Sequence, residues 1–252
     1  MSRWDPEKYL EFETQRTQPA IDLALRVRDK APLNILDIGC GPGNSTAVLH
    51  NIFPDSHITG IDNSAEMIDK ARARYPEWNF EVCSATQIEG EYDLIFSNAC
   101  LQWVPDHRKL LPGLFDNLSE KGVLAVQIPM NANEPIFRIM DSMVKEDRWG
   151  IDSEIVETNR TLLPEEYFDV LASLTEKFNI WETVYYHKMP SVDSMVEWIK
   201  GTRLRPYINV MEEEKAEALL TSIRKEAEKV YSVQENGEII FRFRRFFFTA
   251  EK

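Results

Sequence analysis

The chain has 252 residues, with 29 lysines and arginines against 42 aspartates and glutamates, a formal net charge of −13. Hydrophobic residues make up 43% of it, enough for a real core and far from a disordered composition. The acidic balance argues against nucleic acid as the main partner, because phosphate binding is driven by clustered lysine and arginine; an anionic substrate would need a local basic pocket inside a repelling global field.

At about 150 residues per domain the length fits one to two domains. Met1-Ser2-Arg3-Trp4-Asp5-Pro6 runs into charged residues rather than an apolar core, so no signal peptide is expected. Residues 5–30 read as helix, with Tyr9, Phe12, Ile21, Leu23 and Leu25 set between charges. Asn34 to Gly39 is a short apolar run ending in glycine, a buried strand. Asn44 to Phe53 reads as a helix with Asn44 or Ser45 as its N-cap. His57 to Asp62 is a second strand, Ser64 to Tyr75 a helix closed before Pro76, and Asn79 to Cys83 a third strand. Tyr92 to Asn98 is a fourth strand, a helix follows near 107–118, and Gly122 to Ile128 is a fifth strand. Strands alternating with helices predict a doubly wound parallel sheet with helices on both faces. Beyond Pro129 the pattern changes: 134–177 is mainly helical, Phe178 to Tyr186 a strand, 191–231 two more helices, and Glu238 to Thr249 a last strand after an Asn236-Gly237 turn. No stretch approaches about 18 uncharged apolar residues, so no membrane span is expected. Cys40, Cys83 and Cys100 have no CxxC spacing, which disfavours a disulfide scaffold or zinc site and fits a reducing cytoplasm. The scattered His50, His57 and His107 offer no metal site.

The strongest signal is the loop Leu36-Asp37-Ile38-Gly39-Cys40-Gly41-Pro42-Gly43, between a strand and a helix. Glycines there permit a tight turn and a close approach of ligand to backbone. The dinucleotide fingerprint is G-x-G-x-x-G/A; here the third glycine comes one residue early. Asp37, two residues before the first glycine, is badly placed beside a pyrophosphate and suits a cation. S-adenosylmethionine, a sulfonium with an α-amino group, is such a ligand. Asp62, 25 residues beyond Asp37 at the end of the second strand, can accept from both hydroxyls of a ribose. Helix capping is its alternative role, and the two can coexist.

These residues resemble the class I S-adenosylmethionine-dependent methyltransferases over about residues 30–130. The resemblance implies a Rossmann-like, seven-stranded, mostly parallel sheet, with a helical lid built from insertions after strands five and six and from the N-terminal helix. Residues 1–30 would be a helical cover, 31–130 the cofactor-binding core, and 131–252 the lid insertions plus the last two strands, in one compact domain. It also implies a cofactor site made by Asp37, Gly39, Cys40, Gly41 and Asn44 around the methionine part and by Asp62 and Asn63 at the ribose. Ser84 and Ala85 would stand at the adenine, with Asn98 and Gln102 after strand four. The adenine position is often Asp in that family; here Ser84 or Thr86 stands there, a departure from the pattern. Cys40 reads as a small packing residue rather than a nucleophile.

A closer match to small-acid carboxyl O-methyltransferases of that family extends along nearly the whole chain. It runs through Trp4-Asp5-Pro6, Gly39-Cys40-Gly41-Pro42-Gly43-Asn44-Ser45-Thr46, Ser97-Asn98-Ala99 with Leu101-Gln102-Trp103, Tyr185-Tyr186-His187, Leu204-Arg205-Pro206 and Gln234-Glu235-Asn236-Gly237. It implies a small polycarboxylate acceptor. A carboxylate is already ionised at neutral pH, so transfer would need positioning and water exclusion but no general base. Arginine forks and tyrosine or histidine donors would clamp such an acid. The candidates are Arg205, His187, Tyr185, Arg245 and Trp103, with Tyr9 and Arg16 near the N-terminus. A salt bridge for Arg205, a structural hydrogen bond for His187, an ion pair for Arg245 and plain core for Trp103 are the alternatives. Tyr185 and His187 share one strand face; Arg245 lies on the Phe241/Phe243 side. A phenol, amine or carbon acceptor would instead need a histidine or tyrosine base, and a non-turning cofactor-binding regulator is the reading from another class. Monomer and homodimer both remain open.

Overall fold

The structure, a computed structural model, describes residues 13–151, 161–201 and 203–252, with side chains from residue 17 onward. Tyr9 and the side chain of Arg16 lie outside the described residues. Seven strands form one sheet in the order β3-β2-β1-β4-β5-β7-β6. They are β1 (Asn34–Ile38), β2 (His57–Asp62), β3 (Asn79–Val82), β4 (Tyr92–Asn98), β5 (Leu118–Pro129), β6 (Phe178–Met189) and β7 (Ile239–Glu251). β1 to β5 pair in parallel and β7 runs antiparallel to β5. β1 is buried almost throughout, as a central parallel strand covered on both faces must be, and this is why its sequence is a continuous apolar run. The order reverses direction between β1 and β4, the switch point where open α/β sheets bind ligands.

The helices are α1 (Glu13–Arg26), α2 (Asn44–Ile52), α3 (Ala65–Arg74), α4 (His107–Asp116), α5 (Pro135–Met143), α6 (Pro164–Leu174), α7 (Val192–Lys200), the one-turn α8 (Arg205–Ile208) and α9 (Glu213–Val230). Ser64 caps α3 as expected, its hydroxyl accepting from Met67 N at 3.4 Å. The expected cap of α2 is corrected. Gly43, not Asn44 or Ser45, is the N-cap, at φ 91°, because the loop must turn through the left-handed region before the helix starts. β5 begins four residues earlier than expected, with Leu118 paired to Tyr92 across a register shift. The region 191–231 holds three helical pieces rather than two. Pro206 opens one of them, as proline does in a first turn.

The chain divides into two compact units. The larger holds Thr14–Pro129, 161–183 and Arg245–Lys252. Its core is the buried faces of β1, β4 and β5, with Tyr167 of α6 lying 5.1 Å from Phe246 and 5.6 Å from Phe248, centroid to centroid. Asp93 ties three strand starts together: its carboxylate accepts from Leu33 N, Asn34 N and Ser119 Oγ at 3.0, 2.9 and 2.7 Å. Those bonds hold its pKa below the usual carboxylate value. Below α2, Trp78 stacks between Tyr75 and His50, at 4.2 and 4.0 Å. The smaller unit holds 130–151 and Val184–Arg244. There α9 packs on α5 and α7 around Met140, Met195, Ile199, Leu219 and Ile223. Tyr231 links its ends, donating to Glu134 Oε1 (2.8 Å) and accepting from Ile136 N (3.1 Å). No described helix is long and apolar enough to cross a membrane.

Candidate active site

The glycine loop closes onto the end of β2. The N–H groups of Gly39 and Cys40 both donate to Ile61 O, at 2.7 and 3.0 Å, and Gly43 N donates to Cys40 O at 3.0 Å. Gly41 N donates to Asp62 Oδ2 at 3.1 Å. All four donors are therefore satisfied within the fold, whereas a pyrophosphate-binding loop must offer them to the ligand. The three glycines have different reasons. A Cβ on Gly39 would lie 2.1 Å from Cys100 Sγ, and one on Gly43 would lie 2.9 Å from the Tyr75 ring. Only at Gly41, with φ +54°, is there open space, nothing standing within 4 Å of where a Cβ would be. Of the two glycines expected at the cofactor, Gly41 leaves the open face, while Gly39, like Gly43, is also required by internal packing.

Asp37 is fully buried. Its Oδ2 accepts from Ser45 Oγ and Thr46 Oγ1, both at 2.7 Å, while Oδ1 has no hydrogen-bond partner among the described residues. Burial pushes its pKa up to about 6, against the two hydroxyl bonds and with a further push from Asp62. Asp62 accepts from Gly41 N through one oxygen and from Ser64 N (2.9 Å) through the other. It thus shapes the loop and the entry to α3, and each oxygen keeps a lone pair for a hydroxyl. Asn44 Oδ1 accepts from Arg74 at 2.8 Å, and Asn63 is exposed. After β3, Ser84 and Thr86 face one another with their hydroxyl oxygens 2.9 Å apart, and Ala85 between them is buried.

The turn after β4 carries the next group. Ala99 takes φ 53°, and Gln102 Nε2 donates to its carbonyl at 2.7 Å. Gln102 Oε1 and Asn98 Oδ1 are buried without a partner among the described residues. Trp103 is 55% exposed, so it is not plain core. His107 supports this turn from beneath: its Nε2 lies 2.8 Å from Leu101 O and its Nδ1 2.5 Å from Tyr167 Oη. A carbonyl only accepts, so Nε2 carries the proton and the tyrosine hydroxyl donates to Nδ1. Burial lowers the pKa of this imidazole, which keeps it neutral and in use as a brace. Sequence reasoning saw His107 only as a non-metal histidine; the brace needs Tyr167, 60 residues away, and has no local signal.

Three acceptor oxygens, on Asp37, Asn98 and Gln102, therefore lack donors among the described residues at the carboxyl ends of the neighbouring strands β1 and β4. Buried acceptors without partners are rare in folded proteins and costly. A ligand carrying N–H donors and positive charge satisfies them; a phosphate repels them. The residues fit the cationic end of the expected cofactor. Burial pushes the thiols up, Cys100 to about 12 and Cys40 strongly, so neither offers a thiolate at neutral pH.

In the larger unit, Arg245 is 5% exposed and donates through Nη1 to Gln127 Oε1 at 3.4 Å. A neutral amide is thus one of its partners. Gln127 is itself fully buried, and its Nε2 has no partner among the described residues. Sequence reasoning missed it; the signal was one amide inside the apolar strand Gly122-Val123-Leu124-Ala125-Val126-Gln127-Ile128. A cavity of about 330 Å³ lies elsewhere in this unit, lined by Arg26, Lys30, Lys177, Glu176 and Glu251 among others, and holds none of the expected site residues. Its charges are paired in part, Lys30 Nζ standing 2.6 Å from Glu251.

In the smaller unit, His187 is buried, its ring 6.4 Å from Tyr185 at an interplanar angle of 9° and 5.6 Å from Trp198. The shared strand face expected for Tyr185 and His187 is present. The two arginines that flank Leu204 separate. Arg203 donates to Asp141 at 3.0 Å and lies over Phe137. Arg205 is exposed at the start of α8, with no ion pair among the described residues.

A methyltransferase-domain family model matches residues 29–198. A trans-aconitate 2-methyltransferase of Shigella dysenteriae is 40% identical over 256 residues, covering 100% of this chain and 99% of its own. Its counterpart in Methylobacterium radiotolerans is 38% identical over 258 residues, with 100% and 99% covered. That of Yersinia pseudotuberculosis is 39% identical over 254 residues, with 99% and 98% covered. Among solved structures, the YcgJ protein of Bacillus subtilis superposes with a TM-score of 0.61 at 16% identity, over 93% of this chain and 98% of its own. The O-methyltransferase of a Brevibacillus brevis trans-AT PKS, in complex with S-adenosyl-L-homocysteine, does so with 0.54 at 14% identity, over 98% and 77%. These two share the fold. With a family model over two thirds of its length and full-length relatives near 40% identity, the chain belongs to the methyltransferase-domain family and, within it, to the trans-aconitate 2-methyltransferases.

Proposed function

We propose that this methyltransferase uses S-adenosyl-L-methionine to methylate one carboxylate of trans-aconitate, or of a close small polycarboxylic acid, giving a monomethyl ester. The observation that carries the cofactor half is the set of partnerless acceptors on Asp37, Asn98 and Gln102 beside the open face of Gly41. The acceptor half rests on what the full-length relatives are named for. When bound, the sulfonium supplies an electrophilic methyl carbon to an oxygen in line with it. Asp37 Oδ1 takes the α-ammonium, Gly41 lets the methionine chain lie against backbone, and the free lone pairs of Asp62 take the ribose hydroxyls. Ser84 or Thr86 meets the adenine edge, next to Ala85. The attacking carboxylate is ionised at neutral pH, so the chain's work is orientation and exclusion of water. Each unit carries donors for carboxylates: Arg245 in the larger, and Arg205, His187 and Tyr185 in the smaller. Tyr9 belongs to the same proposal through the family resemblance.

The test is methyl transfer from labelled S-adenosylmethionine with trans-aconitate, cis-aconitate, citrate and isocitrate side by side. A base-labile methyl ester formed preferentially on trans-aconitate is the expected result. No ester on any acid, with S-adenosylhomocysteine still bound, would sink the acceptor and leave the cofactor reading standing.

A further inference from the structure

The partnerless groups on the neighbouring strands β4 and β5 differ in polarity. On β1 and β4 they are acceptors, and on β5 the group is a donor, Gln127 Nε2. Gln127 is the register partner of Asn98, so the change occurs between adjacent strands, and the two side chains do not bond each other. The orientation of the Gln127 amide is fixed by its neighbour. Arg245 can only donate, so the amide oxygen faces the guanidinium and the NH2 group faces away from it. The two residues lie diagonally across the β5–β7 pairing, where Gln127 opposes Phe247 and Arg245 opposes Pro129. A buried amide donor with no acceptor among the described residues, next to a buried guanidinium, is the reverse of what a cationic ligand needs and matches a carboxylate.

We infer that Gln127 and Arg245 form a subsite for one carboxylate of the acceptor, the carboxylate that is not methylated. The inference rests on the function proposed above and assigns a residue to it. Gln127 Nε2 donates to one oxygen of this group and Arg245 carries the charge. Hydrogen bonds and a guanidinium draw electron density from a carboxylate and make its oxygens poor nucleophiles, so the group held here is the one spared. The reacting carboxylate is another on the same molecule. The subsite thereby selects acids with at least two carboxylates over monocarboxylates, and Gln127 is a specificity-determining residue.

The experiment uses the whole chain with S-adenosylhomocysteine bound, and measures binding of trans-aconitate and of the monocarboxylate crotonate by calorimetry. The variants are Gln127→Glu, which keeps an oxygen for Arg245 and replaces the donor by a negative charge, and Gln127→Met, which removes both polar atoms at similar volume. Expected for both is a loss of about tenfold or more in trans-aconitate affinity, a shrunken preference over crotonate, and an S-adenosylhomocysteine affinity within about twofold of the parent. Gln127→Met keeps the test open if the buried glutamate prevents folding. Variants that bind trans-aconitate as well as the parent overturn the subsite alone, as does equal loss of trans-aconitate and S-adenosylhomocysteine. A parent chain that binds S-adenosylhomocysteine but no polycarboxylate overturns the functional reading together with the subsite.

Discussion

Replacing Asp37 by Asn should make the ligand-free protein more stable and its cofactor affinity worse. In the fold this carboxyl is fully buried, keeps one oxygen without a partner among the described residues, and has its pKa pushed from 3.8 to about 6. An acid with a raised folded pKa holds its proton more tightly in the native state. Native stability is therefore lost as pH rises from below the unfolded value, near 3.8, to above about 6. The gap between those two values is worth roughly 3 kcal/mol above pH 7. The amide removes that loss and still accepts from Ser45 and Thr46. Thermal melts of parent and Asp37→Asn without ligand should nearly coincide at pH 4. They should diverge through pH 6, with the variant melting higher at pH 8 by roughly 2–4 °C for each kcal/mol recovered. Calorimetry at pH 8 should show S-adenosylhomocysteine bound about tenfold or more weakly, because a charge-assisted bond to its ammonium is lost. A variant that melts below the parent by the same margin at pH 4 and pH 8 would refute the buried-charge argument. Unchanged cofactor affinity would refute the assignment of the free oxygen to a cation.

Gly39→Ala should fail to fold or melt far below the parent, because its Cβ would stand 2.1 Å from Cys100 Sγ. Gly41→Ala meets nothing and pays only about 1–2 kcal/mol of left-handed strain, so it should fold and lose S-adenosylhomocysteine binding in titration; similar melting of the two variants would contradict this division of roles. Tyr167→Phe leaves His107 Nδ1 buried without its donor, at about 1–3 kcal/mol. The melting temperature should fall while S-adenosylhomocysteine affinity holds within about twofold, and an unchanged melt would deny the brace. Arg205→Ala, at an exposed position without an ion pair among the described residues, should alter stability by less than about 0.5 kcal/mol. Steady-state kinetics should show a raised KM for trans-aconitate and an unchanged KM for the cofactor, and a reversed pattern would remove Arg205 from the acceptor.

The core was legible in the sequence because its strands are short apolar runs, each bounded by glycine or a polar pair. Asn34–Ile38 and His57–Asp62 needed no tertiary information to be seen. Ser64 was legible as a cap because a serine before a helix has a local reason to be there. Gly43 was not: a positive φ demanded by the loop outranked the capping propensity of Asn44 and Ser45. The start of β5 was hidden because Ser119, Glu120 and Lys121 look like a turn, and pairing from Leu118 depends on Tyr92 of another strand. Asp37 stood out by its place in the loop pattern and Asp62 by its place at the end of the second strand. Gln127 did not, since its meaning lies in a diagonal contact with a residue 118 positions away.

The stack of Tyr75, Trp78 and His50 has a practical consequence. Tyr75 is also the ring that leaves no room for a Cβ on Gly43, at 2.9 Å. The indole of Trp78 is thus mechanically joined, through one tyrosine, to the last glycine of the cofactor loop. Any rearrangement of that loop must disturb the stack and with it the emission of this indole. A fluorescence titration of the parent against Trp78→Phe, which keeps the other five tryptophans, isolates the contribution of this indole and reports on the loop without a label.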